Sequence, residues 1–85
     1  MTRENISDLV RRKSAEIIGN IDPSELDTTK SLKAYGVSSL DLVELVSLLM
    51  RELKIKVPRA ELKKIGTIDE LISVFQNAAN SPVAH

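Results

Sequence analysis

Ser38-Ser39-Leu40-Asp41-Leu42-Val43-Glu44-Leu45-Val46-Ser47-Leu48-Leu49-Met50-Arg51-Glu52-Leu53, residues 38–53, reads as the strongest helix of the chain. It opens with Ser38 as an N-cap and Asp41 as the residue that caps back, so two otherwise orphaned backbone N–H groups find partners at its start. Nine apolar side chains, from Leu40 to Leu53, cover more of the surface than a peripheral helix needs. Such a helix is central, or it shows apolar surface to a partner, and the two are compatible. Leu49 and Leu53 continue the inward row of Leu42, Leu45 and Val46 by steps of three and four, which predicts a core position for both. For Leu40, Leu42 and Val43, periodicity alone leaves core packing and docking equally open.

On the N-terminal side, Ile6, Leu9, Val10, Ile17 and Ile18 recur at helical spacing among Arg11, Arg12, Lys13 and Glu16. This predicts an amphipathic helix over about residues 4–18, stopped at Gly19-Asn20 by a left-handed C-cap. Residues 19–38 form a long connection. Within it Asp22-Pro23-Ser24-Glu25 can make a single helical turn, with Asp as cap, Pro at the first position and Glu closing a capping box. Ile21, Leu26, Leu32 and Tyr35 are the side chains expected to pin this polar stretch to the rest of the molecule.

On the C-terminal side, Pro58 begins a short third helix through Arg59-Ala60-Glu61-Leu62-Lys63-Lys64, ended near Gly66. Thr67-Ile68-Asp69-Glu70 is a second capping box, followed by Leu71, Ile72, Val74, Phe75 and Ala78 of a closing helix to about Ala79. Residues 80–85 read as a flexible tail. There is no internal repeat and no alternation with hairpin turns. The expected architecture is all-α: a four-helix bundle with a long first loop and a short third helix, in a single domain spanning 1–85 and ordered over about 4–79.

Composition narrows the function. A chain of 85 residues supports one small core, since at this size only about 60% of the unfolded surface is buried. With 42% hydrophobic and only 2% aromatic residues, that core is built from Leu, Ile and Val. Twelve basic and twelve acidic residues cancel, which removes the cationic field that draws proteins to nucleic acid. There is no cysteine, and the single histidine, His85, is the last residue. Disulfides, thiolate metal sites and Cys or His catalysis are thereby excluded, and no other metal-ligating constellation is visible. Met1 stands just before the first helix with no signal-like apolar run, and no stretch approaches the roughly 18 apolar residues of a membrane span. The expectation is a discrete cytoplasmic protein that does not bind membranes.

Judged by spacing alone, Ser38 and Ser39 read as capping residues. Ser38 keeps that role on any reading, whereas Ser39 has no capping duty to explain it. A catalytic role for Ser39 fails: Gly36-Val37-Ser38-Ser39-Leu40 lacks the second glycine of a nucleophile elbow, and no base is at hand.

Gly36-Val37-Ser38-Ser39-Leu40-Asp41-Leu42-Val43-Glu44-Leu45 resembles the modification motif of the acyl carrier protein family, Gly-x-Asp-Ser-Leu followed by an acidic and apolar helix. The likeness extends over about residues 4–79. It takes in Leu32 and Tyr35 in the long loop, the Ile55-Lys56-Val57-Pro58 entry to the short helix, and Thr67-Ile68-Asp69-Glu70-Leu71. The resemblance implies that Ser39 is esterified with phosphopantetheine, taken from coenzyme A by a phosphopantetheinyl transferase. It also implies that the protein itself is a non-catalytic, monomeric carrier. Its implied partners are that transferase and acyl-transferring or condensing enzymes such as a ketosynthase or an acyltransferase. Leu40, Asp41, Val43, Glu44, Met50 and Arg51 are the expected partner-binding positions.

Two departures stand out. Ser38 replaces the family's usual Asp, which keeps a cap and lowers the local negative charge. Met50 and Arg51 stand where carriers of the fatty-acid type are commonly acidic. Together with Tyr35-Gly36, and with no Gly-Gly pair of a peptidyl carrier, this points to polyketide biosynthesis. A fatty-acid-type carrier, or an unmodified helical interaction module, is the alternative.

Overall fold

The computed structural model describes residues 3–79; the tail expected to be flexible lies outside the described residues. Three α-helices, α1 (Arg3–Ile18), α2 (Ser39–Leu53) and α3 (Ile68–Ala79), are joined by a short 3-10 helix over Arg59–Lys64 to give an all-α domain of four helices. The expected third helix is thus present in the tighter 3-10 form. Two single 3-10 turns, Pro23–Glu25 and Lys33–Tyr35, shape the long first connection. No helix among the described residues is long and apolar enough to cross a membrane.

Each boundary has a local cause. α1 stops where Gly19 and Asn20 both turn left-handed, at φ +80° and +56°, with the Gly19 N–H donating to the Ala15 carbonyl at 2.8 Å. The first 3-10 turn is capped by Asp22, whose Oδ1 accepts both the N–H and the hydroxyl of Ser24 at 2.8 and 2.7 Å. Ser24 therefore fills the place expected for Glu25. α3 starts with the expected capping box: Glu70 N–H donates to Thr67 Oγ1 at 3.1 Å, and Thr67 N–H donates to Glu70 Oε1 at 3.0 Å. α2 ends at Lys54, a non-glycine residue at φ +57°.

One aliphatic core joins the helices. Ile6, Val10 and Ala15 of α1 meet Leu45, Val46, Leu49 and Leu53 of α2 and Ile68, Leu71 and Phe75 of α3. The predicted core positions Leu49 and Leu53 are buried, whereas Leu42 sits half-buried at the edge of the row. Ser14 is the exception within the core, because its buried hydroxyl has no hydrogen-bond partner.

The long loop is held down as the apolar pattern predicts. Leu26 and Leu32 are buried, and Ile21 and Tyr35 pack partly against the core. Backbone bonds to the start of α3 reinforce them. Leu32 N–H donates to the Gly66 carbonyl at 2.8 Å, Asp69 N–H to the Thr28 carbonyl at 2.9 Å, and Ser31 and Thr67 form an isolated antiparallel bridge. The Tyr35 hydroxyl accepts the Asp27 N–H at 2.9 Å, and Lys30 Nζ lies 4.6 Å from the Tyr35 ring centroid.

Candidate functional site

The approach to α2 is fixed residue by residue. Gly36 adopts φ +85°, a left-handed conformation that costs glycine nothing, and its N–H closes onto the Lys33 carbonyl at 2.9 Å. Val37 then anchors the chain in the core, with its N–H on the Leu32 carbonyl at 3.0 Å. Ser38 and Asp41 form the expected capping box, both bonds at 3.1 Å. Ser39 follows as the first helical residue, exposed, its hydroxyl without a hydrogen-bond partner among the described residues.

The cap leaves something free. The Asp41 N–H goes to Ser38 Oγ and the Leu42 N–H to the Ser38 carbonyl at 2.9 Å, but the N–H groups of Ser39 and Leu40 have no such partner. These two donors, at the positive end of α2, suit an anionic group esterified to the adjacent hydroxyl, worth roughly 0.3–1 kcal/mol at an exposed helix end. Beside Ser39 lies an open groove of about 390 Å³, walled by Val37 and Leu42 on one side and Leu62 and Ile65 on the other, with Lys33 at its rim. A phosphodiester on Ser39 would thus have backbone donors and a cation close by, and an apolar arm would have a trough to lie in. The residues present fit a phosphopantetheine group.

Leu40 and Val43 are the large apolar side chains left in solvent, 82% and 42% exposed, which decides the ambiguity of periodicity in favour of surface for both. Glu44 is exposed, and Asp41 is half-buried with Oδ2 committed to the Ser38 N–H. These four residues surround Ser39 on the first turns of α2. Met50 and Arg51 belong to its far end. Arg51 is exposed, but Met50 is half-buried and its sulfur accepts the Val57 N–H at 3.3 Å, so it serves the turn out of α2 as much as any surface. The groove walls Leu62 and Ile65 were missed by sequence reasoning. Their spacing of three within and just after a short amphipathic helix was the available signal. No group of three or more metal-ligating side chains occurs among the described residues.

Comparison with known proteins agrees with this geometry. The family model described as a phosphopantetheine attachment site matches residues 8–75. The chain is 25% identical over 81 residues to the polyketide biosynthesis acyl-carrier-protein AcpK of Bacillus subtilis, covering 95% of this chain and 99% of that one. It is 32% identical over 75 residues to an acyl carrier protein of Thermotoga maritima, covering 88% and 93%. With an acyl carrier protein of Wolinella succinogenes it shares 35% identity over 58 residues, covering 67% and 76%. The match spans the capped serines, the groove beside them and the bundle that supports both, and on that basis the chain belongs to the phosphopantetheine-binding acyl carrier proteins, a non-catalytic family.

Proposed function

We propose that Ser39 is the attachment residue and that the loaded protein carries intermediates of polyketide assembly in the cytoplasm. The observation that carries the first part is the exposed, unpartnered Ser39 hydroxyl at the turn of α2 whose N–H groups the cap leaves open. In attachment, the Ser39 oxygen attacks the phosphorus of coenzyme A that bears the pantetheine, gives up its proton, and displaces the adenosine bisphosphate. Once attached, the arm ends in a thiol that holds acyl groups as thioesters. The protein's own part is to hold the arm at a fixed point, raising the effective concentration of cargo before each enzyme in turn.

Leu40, Val43, Asp41 and Glu44 form the face offered to the phosphopantetheinyl transferase: apolar area flanked by carboxylates, fitted to a partner with a basic rim. The polyketide assignment rests on Met50 and Arg51 in α2, on Tyr35-Gly36 before the serines, and on the name of the Bacillus relative. The Thermotoga and Wolinella relatives bear the general name, which keeps a fatty-acid role as the second reading. The cytoplasmic location follows from the family.

The test is intact mass after incubation with coenzyme A and a promiscuous transferase. Parent protein gains one phosphopantetheine and Ser39→Ala gains none; a gain that survives in the variant moves the site elsewhere. Competing a polyketide-type against a fatty-acid-type acyltransferase for the loaded form separates the two pathways.

A further inference from the structure

The neutral total of the chain conceals two opposed parts. Between Arg51 and Lys64 there are six basic residues, Arg51, Lys54, Lys56, Arg59, Lys63 and Lys64, against Glu52 and Glu61, whereas the remainder holds six basic against ten acidic residues. All six cations are exposed. Both acids nearby are already engaged: Glu61 Oε2 holds Lys64 Nζ at 2.9 Å, and Glu52 Oε1 faces Lys13 Nζ of α1 at 3.9 Å. Arg51, Lys54, Lys56, Arg59 and Lys63 have no carboxylate partner among the described residues.

The backbone gathers these five into one corner. Left-handed Lys54 turns the chain, Ile55 N–H returns to the Met50 carbonyl at 3.2 Å, and Val57 N–H reaches the Met50 sulfur at 3.3 Å. Residues 54–57 therefore lie back against the last turn of α2. The 3-10 helix that follows has six residues, about 12 Å at its ordinary rise. This corner stands some 20 Å, one length of α2, from Ser39. Unscreened like charges within roughly 8 Å of one another repel, so the cluster works against folding and calls for another cause.

We propose that this corner is a second docking surface, which engages an acidic face of the ketosynthase that takes the cargo, while the Leu40–Glu44 face serves the transferase. The inference rests on the reading of the chain as a loaded carrier. A protein surface fits better than a lipid one, because the apolar residues of the corner, Ile55, Val57, Leu62 and Ile65, are turned inward, and the exposed Leu40 and Val43 belong to the other end of α2. Opposite charge at the two ends of one helix lets successive partners be sorted by the sign of their own surfaces.

The experiment compares the parent with the triple variant Arg51→Glu, Arg59→Glu, Lys63→Glu, after matching thermal melts establish that both are folded. Loading by a promiscuous transferase is expected to agree within about two-fold. Acyl transfer to the ketosynthase encoded in the same gene cluster is expected to lose about ten-fold in kcat/KM at low salt, mainly through KM, and to recover as salt screens the contact. Transfer within two-fold of the parent at low salt overturns the proposal. So does an equal fall in loading, or flotation of the parent but not the variant with phosphatidylcholine–phosphatidylglycerol vesicles, which assigns the corner to lipid. A parent that takes up no phosphopantetheine overturns the carrier reading and this proposal with it, whereas normal loading with unaltered transfer overturns this proposal alone.

Discussion

Ser38 and Asp41 cap each other across the first turn of α2, N–H to Oγ and N–H to Oδ2, both at 3.1 Å. The pair leaves Ser39 between them without a share in the cap. Ser38→Ala removes the acceptor for the Asp41 N–H and should lower stability by about 0.5–2 kcal/mol. Ser39→Ala, at an exposed helical position, should melt within about 0.5 kcal/mol of the parent. Urea unfolding followed by circular dichroism reads both, and equal losses would mean that the two serines share the cap.

α2 has a buried and an exposed side that its composition conceals. Leu49→Ala should cost roughly 2–5 kcal/mol, since Leu49 is wholly buried among three helices. Val43→Ala should cost under about 1 kcal/mol and act instead on the rate of phosphopantetheine loading. A Leu49→Ala protein as stable as the parent would show that the helix is rotated from the orientation described.

Lys54 ends α2 at φ +57°, where a side chain costs roughly 1–2 kcal/mol that glycine avoids. Set against the larger unfolded-state entropy of glycine, Lys54→Gly should raise stability by up to about 1 kcal/mol. The expected result is a higher urea midpoint with an unchanged slope. A lower midpoint would mean that the lysine side chain supports the fold.

Asp22 and Asp27 are both held below the ordinary carboxylate range, in each case first by a hydroxyl, from Ser24 and Thr29 respectively, and then by the backbone N–H of the same residue. A carboxylate with a lowered folded-state pKa stabilises the fold fully above its unfolded value, near 3.8 here, and loses that contribution as pH falls through the folded value. Stability should therefore be level above about pH 5 and decline below about pH 4. In Asp22→Asn, Asp27→Asn the decline should be shallower when urea midpoints are followed from pH 6 to pH 3. An unchanged slope would assign acid sensitivity to other carboxylates.

The helices were legible because their evidence is local. α2 begins and ends where its serines and apolar run predict, and both capping boxes form between residues three apart. Gly36 and Gly19 are left-handed, as turn chemistry requires. The orientation of α2 was not legible, since an apolar face that wide gives no preferred direction; only packing against α1 and α3 turns Leu45 and Leu49 inward and leaves Leu40 out. The Ser31–Thr67 bridge and the Thr28–Asp69 bond join residues far apart in sequence, and no local pattern encodes them. Lys54 carries none of the usual marks of a left-handed cap. At the site, the serine was legible from motif, but the groove beside it was not, because Leu62 and Ile65 reach it only through the turn after α2.

The bonds that tie the long loop to the start of α3 also set an order of events during synthesis. Thr28 and Leu32 leave the ribosome well before Asp69 and Gly66, and Val10 must wait for Phe75 to close the same core. Until the last helix emerges, the loop that delivers Gly36, Val37 and the capped serines has no fixed support. The nascent chain thus displays Ser39 early but frames it late, so a transferase that needs the folded frame acts only on carriers whose translation has passed α3, and unfinished chains take no coenzyme A.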